Sequence, residues 1–238
     1  MVLPAFNEEA NVVEAVERAT EVATDLCADH EIIVVDDGST DATAANVGEL
    51  AQDDPRIRLV THPINLGYGE ALRSGFRAAA MDLVFFTDAD NQFDLKELKA
   101  LLPWTDRVDV VAGYRLNRQD RRGRRIAGLL WNYLVRVLFY VPVRDIDCAF
   151  KVFRREILDE IDIRSMGAMV NTELMVKLGR AGASVVEVGV THYPRTSGKA
   201  RGASPRVVLR AMIELLQMRR RLQRFEAGFL HPGGPPPR

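Results

Sequence analysis

Short runs of consecutive apolar residues alternate along the first half of the chain with longer stretches in which apolar positions recur every three or four residues. The runs lie at 1–4, 31–36 (Glu-Ile-Ile-Val-Val-Asp), 57–61, 82–87 and 108–112. Near-continuous Val and Ile predict strands covered on both faces, and hence a largely parallel sheet. The intervening periodic stretches predict helices over 8–26, 41–52, 68–80 and 94–102. This βαβ rhythm predicts an open α/β sheet. Ligands of such sheets bind at the carboxyl ends of the strands. Polar or turn residues follow the runs at just those points: Asn7-Glu8, Asp36-Asp37-Gly38, Asp88 and Gly113.

The second half reads differently. It holds a basic stretch (115–125), an apolar segment (126–143), a short segment over Asp145–Phe153, a predicted helix at 171–181, a strand at 185–190 and a long helix at 205–224. The tail 225–238 is rich in Pro and Gly and is expected to be disordered. The expected organisation is therefore one catalytic domain over 1–204, an amphipathic helix over 205–224 and the tail. In that helix Arg206, Arg210, Glu214, Gln217 and Arg221 form a polar stripe, and Val208, Leu209, Met212, Leu215 and Leu216 an apolar one. Segment 126–143 is short for a membrane span and carries Arg136 in its middle. It fits either an interfacial helix with a basic flank and Trp131, or a buried core helix.

Composition adds little to that picture, but charge adds a partner. At 238 residues with 47% hydrophobic and 27% charged content, the chain suits one folded soluble domain. Two cysteines, Cys27 and Cys148, exclude a disulfide framework and suggest a reducing compartment. The opening Met1-Val2-Leu3-Pro4 reads as a strand and turn, not a secretory leader, and so abrupt a start suggests missing upstream residues. A net charge of −1 conceals arginine clusters at Arg115, Arg118, Arg121, Arg122, Arg124 and Arg125, and at 219–221. Such clusters fit phosphate, anionic lipid or nucleic acid. No aromatic ladder lies among them, so nucleic acid is not the expected partner.

The chemistry concentrates at Asp88-Ala89-Asp90-Asn91-Gln92, directly after the apolar run Leu83–Phe86. Side chains two apart in an extended segment point the same way. Asp88, Asp90 and the Gln92 amide oxygen then form a hard-oxygen set suited to Mg²⁺ or Mn²⁺. The plainer alternative is a turn whose aspartates cap the next helix. A second strand-to-turn junction, Val34-Val35-Asp36-Asp37-Gly38-Ser39-Thr40-Asp41, offers a carboxylate for a base or ribose, or simply caps a helix through Ser39, Thr40 or Asp41. No glycine-rich dinucleotide fingerprint or phosphate-binding P-loop occurs. Phosphates bound here would therefore be neutralised by a metal.

Taken together, Leu3-Pro4-Ala5-Phe6-Asn7-Glu8-Glu9, the Val-Asp-Asp-Gly-Ser-Thr-Asp run, Asn65-Leu66-Gly67-Tyr68-Gly69 and Asp88-Ala89-Asp90 resemble the inverting family 2 glycosyltransferases of GT-A fold. Gln92, Gly113-Tyr114-Arg115, Asp147-Cys148-Ala149-Phe150-Lys151 and Arg195…Gly198-Lys199…Arg201 look like the polyprenyl-phosphate branch, which includes dolichol-phosphate mannosyl- and glucosyltransferases. The resemblance spans residues 1–201. It implies an NDP-sugar donor (GDP-mannose or UDP-glucose), a divalent metal and a lipid-phosphate acceptor. Residue by residue, it puts Pro4, Phe6, Glu8, Val35 and Asp37 on the nucleotide, and Asp88, Ala89, Asp90 and Gln92 on the metal and diphosphate. It gives Arg195 and Arg201 to a loop over the donor, and Arg115, Arg118 and Lys199 to the phosphates on the acceptor side. Asp147 and Asp90 take the catalytic places, Asp147 beside the acceptor. Ala149 and Ala200 stand where the family often has Gly and Ser. His192 is read as an orienting group.

A phosphate monoester acceptor is already anionic at neutral pH and hardly needs a general base. Asp147 would then orient the acceptor, unless it is an ion-pair partner of Arg144 or Lys151. Transfer to a sugar or small-molecule hydroxyl is the rival activity and would need a true base. A nucleotide- or RNA-binding module is the non-enzymatic rival. A lipid acceptor implies peripheral attachment to an anionic membrane surface on the cytoplasmic side, or a membrane-embedded partner protein.

Overall fold

A computed structural model describes residues 1–116, 122–141, 143–167, 169–194 and 212–220. Seven strands form one sheet: β1 (Val2–Ala5), β2 (Ile32–Asp36), β3 (Ile57–Thr61), β4 (Leu83–Thr87), β5 (Val110–Leu116), β6 (Phe150–Arg154) and β7 (Val185–Thr191). Their spatial order is β3-β2-β1-β4-β6-β5-β7. The helices are α1 (Val12–Leu26), α2 (Thr43–Asp53), α3 (Tyr68–Ala78), the short α4 (Leu98–Leu101), α5 (Arg122–Phe139), the short α6 (Arg155–Asp159) and α7 (Val170–Arg180). The expected mostly parallel sheet is present. β1, β2, β3 and β4 run parallel, and β7 runs parallel to β5.

One strand differs from the expectation. β6 lies inside the sheet and antiparallel to both β4 and β5, with Thr87 opposite Phe150 and Ala112 opposite Lys151. Because it runs backwards, its amino end meets the carboxyl ends of its neighbours. Every segment singled out above, up to residue 194, therefore falls at one edge of the sheet. Those segments follow β1, β2, β3, β4, β5 and β7, and the segment before β6 joins them.

Helix bounds shift for local reasons. The stretch 94–102 is not one helix. It is a 3₁₀ turn capped by Asp94 (side chain to the Lys96 N–H, 3.1 Å), then α4, then a second 3₁₀ turn containing Pro103. α2 starts at Thr43, where Asp41 accepts from the backbone N–H (3.0 Å) and hydroxyl (2.5 Å) of Thr43. Residues 212–220 are helical, and within them Leu215 and Met218 are buried in the same core as the sheet. Leu216, expected on the apolar face, is half exposed.

α5 buries one set of its apolar residues and exposes another. Asn132, Val135 and Phe139 are buried, and the Trp131 indole N–H donates to the Thr172 hydroxyl at 3.3 Å. Leu129, Leu130, Tyr133, Val137 and Tyr140 stay exposed, Tyr140 being 89% accessible.

Candidate active site

The half of the site expected to seat a nucleotide rests on Pro4 and Val35, opposite each other in the β1–β2 register and both buried. Beyond them Glu8 accepts from the Asn11 side-chain amide at 2.6 Å. Phe6 and Glu8 are half-buried. Asp37 is buried, and its carboxylate is occupied by the chain itself. One oxygen accepts from the Leu66 N–H (2.9 Å) and pairs with His62 Nδ1 (2.8 Å). The other accepts from the Gly67 N–H (2.8 Å) and the Asn65 amide (2.9 Å). Four donors are about the full complement of an ionised carboxylate. Asp37 thus builds the turn Asn65–Gly67.

That turn reaches the second acidic centre. Gly67 (φ 101°) lets the chain enter α3, and a Cβ at Gly69 would lie 1.9 Å from the Ser165 carbonyl oxygen, so only glycine fits there. Between them Tyr68 donates its hydroxyl to Asp88 at 2.8 Å. Burial first, and then the charges of Asp88 and Asp90, hold this phenol well above its usual pKa, while Asn171 pulls the other way. Tyr68 remains a protonated donor and orients Asp88.

Asp88, Ala89 and Asp90 occupy the turn after β4, with Ala89 and Asp90 buried. Among the described residues no group of three or more His, Cys, Asp and Glu side chains is placed to hold a metal. Two hard carboxylates on one turn, one oriented by a phenol, fit Mg²⁺ or Mn²⁺, which fill the remaining positions with water and phosphate oxygens. Gln92 has a second engagement. Its side-chain amide N–H donates to the Tyr193 carbonyl (2.9 Å), and its backbone carbonyl accepts the Tyr193 N–H (2.8 Å). His192 pairs with Phe93 as an isolated bridge and packs its ring edge-on at 5.2 Å.

The other half of the site is a shelf before β6. Asp145, which sequence reasoning missed, holds Arg115 in a two-point pair: Nε to Oδ2 at 2.6 Å and an Nη to Oδ1 at 2.7 Å. Burial lowers the Arg115 pKa, but the Asp145 contacts outweigh it and the net direction is up. Asp147 follows, partly buried. Of the two cations offered as the alternative ion-pair partners of Asp147, Arg144 pairs with Glu187 and stacks over Tyr114, 4.9 Å from the ring centroid. Lys151 donates to the carbonyls of Ile146 and Cys148. Arg118, Arg195, Lys199 and Arg201 lie outside the described residues.

The model of the family described as Glycosyl transferase family 2 matches residues 1–162, and the chain belongs to that family. It is 30% identical to a dodecaprenyl-phosphate galacturonate synthase of Rhizobium johnstonii, over 92% of this chain and 65% of that protein. It is also 30% identical to an undecaprenyl-phosphate 4-deoxy-4-formamido-L-arabinose transferase of Enterobacter, covering 87% and 63%. The chain thus spans a little under two thirds of these relatives. Among solved structures, glucosyl-3-phosphoglycerate synthase of Mycobacterium tuberculosis with Mn²⁺ and UDP-glucose superposes with a TM-score of 0.67 at 24% identity, covering 90% and 77%. The fold is the expected GT-A type.

Proposed function

We propose that this chain is a metal-dependent inverting glycosyltransferase that moves a hexose, mannose or glucose, from GDP or UDP to a polyprenyl phosphate. One observation carries the reading: the Asp88–Asp90 turn and the Arg115–Asp145–Asp147 shelf meet at one sheet edge, side by side through the Thr87–Phe150 pair. The names of the relatives, both polyprenyl-phosphate sugar transferases, support the acceptor. The Mn²⁺ and UDP-glucose in a structure of the same fold support the donor class and metal.

In such a transfer an acceptor phosphate oxygen bonds to the anomeric carbon as that carbon's bond to the donor diphosphate breaks. Asp88 and Asp90, with the Gln92 amide oxygen as third ligand, would hold a Mg²⁺ or Mn²⁺ ion that offsets charge on the departing diphosphate. Pro4, Phe6, Glu8, Val35 and Ala89 seat the nucleotide, and Asp37 shapes the turn beside it. Arg115, held by Asp145, presents the rest of its guanidinium to phosphate in a fixed orientation. Asp147 orients the acceptor. Arg118, Arg195, Lys199 and Arg201, outside the described residues, would by the resemblance add positive charge around the two phosphates.

The acceptor's lipid implies a membrane surface. Among the described residues no helix is long and apolar enough to cross a bilayer. The exposed apolar face of α5, preceded in sequence by Arg122, Arg124 and Arg125, suits peripheral contact with anionic lipid at the cytoplasmic face; of the amphipathic helix expected over 205–224, only 212–220 lie among the described residues. A membrane-embedded partner protein is the alternative route to the acceptor. The test is incubation with Mg²⁺ or Mn²⁺, polyprenyl phosphate and a panel of radiolabelled NDP-sugars, followed by lipid extraction. The panel includes uronic-acid and amino-pentose donors. Metal-dependent label in the lipid phase from a hexose donor is expected. Label from none of the donors overturns the activity, and label only from a uronic-acid or pentose donor overturns the hexose.

A further inference from the structure

Lys151 is the second residue of β6, an interior strand, and is 0% exposed. A fully buried lysine is rare, because an ammonium taken out of water must be repaid by hydrogen bonds. Its stem lies on the sheet face carrying Phe86 and Phe153, whose rings stack 5.9 Å apart, and its Nζ sits 5.5 Å from the Phe86 ring centroid. The head turns up beneath the segment before β6. There it donates to the carbonyl oxygens of Ile146 (3.1 Å) and Cys148. Those two carbonyls flank Asp147.

The same segment is held at a second point, where the Ile146 N–H donates to the buried Asn132 side-chain oxygen at 3.1 Å. A turn bond from the Cys148 N–H to the Asp145 carbonyl (3.2 Å) closes it. With Asp145 pinned to Arg115, the backbone on both sides of Asp147 is fixed from below. Asn132 supplies an acceptor, and Lys151 supplies donors to two carbonyls. Burial lowers the Lys151 pKa, and nearby Cys148, Asp145 and Asp147 oppose that shift.

We infer that Lys151 is a positioning residue for the acceptor side of the site: its buried Nζ grips the carbonyls either side of Asp147 and so fixes where that carboxylate meets the acceptor phosphate. The role rests on the transferase reading, but the grip itself can be measured without turnover. Donor-side groups are held by β1, β2, β4 and the Asn65–Gly67 turn; Lys151 pairs with Phe86 of β4, but its side-chain hydrogen bonds go only to Ile146 and Cys148. Its loss should therefore lower kcat and weaken use of the acceptor while sparing KM for the NDP-sugar. Misplacement of a reacting group by about 1 Å can cost on the order of 100-fold.

The experiment compares Lys151→Met, which fills the volume without a donor, with Lys151→Gln, which keeps a neutral amide donor on a shorter arm. Both carry Cys27→Ser, leaving Cys148 the one thiol. Cys148 is 0% exposed and its thiol is pushed up to about 12 by burial, so native labelling by a thiol reagent reports opening of this segment. Labelling is expected to quicken in the order Lys, Gln, Met, in step with a falling kcat, at constant donor KM and within a retained cooperative melt. Unchanged labelling and kcat in a folded Lys151→Met overturn the proposal. So does loss of the cooperative melt in both variants, which would make Lys151 a general stability residue, and so does a rise confined to donor KM. If the unsubstituted protein labels no lipid phosphate, the transferase reading fails, and the order of thiol labelling still decides the grip.

Discussion

Asp37 has two backbone N–H groups, an amide and an imidazole on one carboxylate, so its substitution removes a turn and not only a ligand. Asp37→Ala should cost about 1–3 kcal/mol per stranded buried donor. It should lower the melting temperature and raise donor KM together, read by thermal melt and steady-state kinetics. Asp90 contrasts with it. Asp90→Ala should lower transfer by about 10²–10³-fold, the scale of losing one charge-stabilising group, with the melt unchanged. Full activity of Asp90→Ala in a chelator would contradict the metal assignment. Glu173 is a third case. Burial pushes its carboxyl up, but bonds from Lys177 and Ser165 outweigh that and leave it below the usual range. It accepts the N–H groups of Arg164 (3.0 Å) and Ser165 (2.6 Å), which hold the strand of chain against Gly69. A depressed folded pKa gives stability that is complete above the unfolded value, near ~4.3, and is lost as pH falls through the folded one. Glu173→Gln should therefore melt lower than the unsubstituted protein at pH 7, with the gap closing below about pH 4.

α5 shows what an element's pattern can and cannot reveal. Its apolar residues were evident, yet periodicity could not say which of two apolar faces met the core. The structure buries Val135 and Phe139 and leaves Leu130 and Tyr133 outside. Leu130→Asp with Tyr133→Asp should abolish flotation with anionic vesicles and leave the melt unchanged. Trp131→Asp should lower the melt instead, through loss of the packed indole and its bond to Thr172. Flotation of the doubly charged variant at undiminished level would exclude this face as the membrane contact. The parallel strands were legible because burial on both faces leaves unbroken Val and Ile. β6 was not, because Lys151 interrupts its apolar run and its antiparallel partners lie far away in sequence. The acidic motifs were legible by type and order. Asp145 was not, since its partner Arg115 is 30 residues distant. The role of Tyr68 was also hidden, because a phenol in a glycine-rich turn signals nothing until Asp88 is placed 2.8 Å from it.

At the scale of the whole molecule, one reversed strand decides the layout. With β6 antiparallel between β4 and β5, the Arg115–Asp145–Asp147 shelf enters the sheet edge beside the Asp88–Asp90 turn, and the groups proposed for donor and acceptor come from different elements. The shelf carries a fixed arginine and an aspartate, a pairing suited to a phosphate that is already charged and not to a hydroxyl awaiting deprotonation. The most direct test therefore varies only the acceptor's head. Sugar transfer from a labelled NDP-sugar is measured with polyprenyl phosphate and with the matching free polyprenol, at equal concentration and in the same Mn²⁺ buffer. Label is expected in the lipid phase with the phosphate and at background with the alcohol. Equal labelling of the two lipids, or labelling of a small-molecule hydroxyl in preference to the lipid phosphate, would contradict the account.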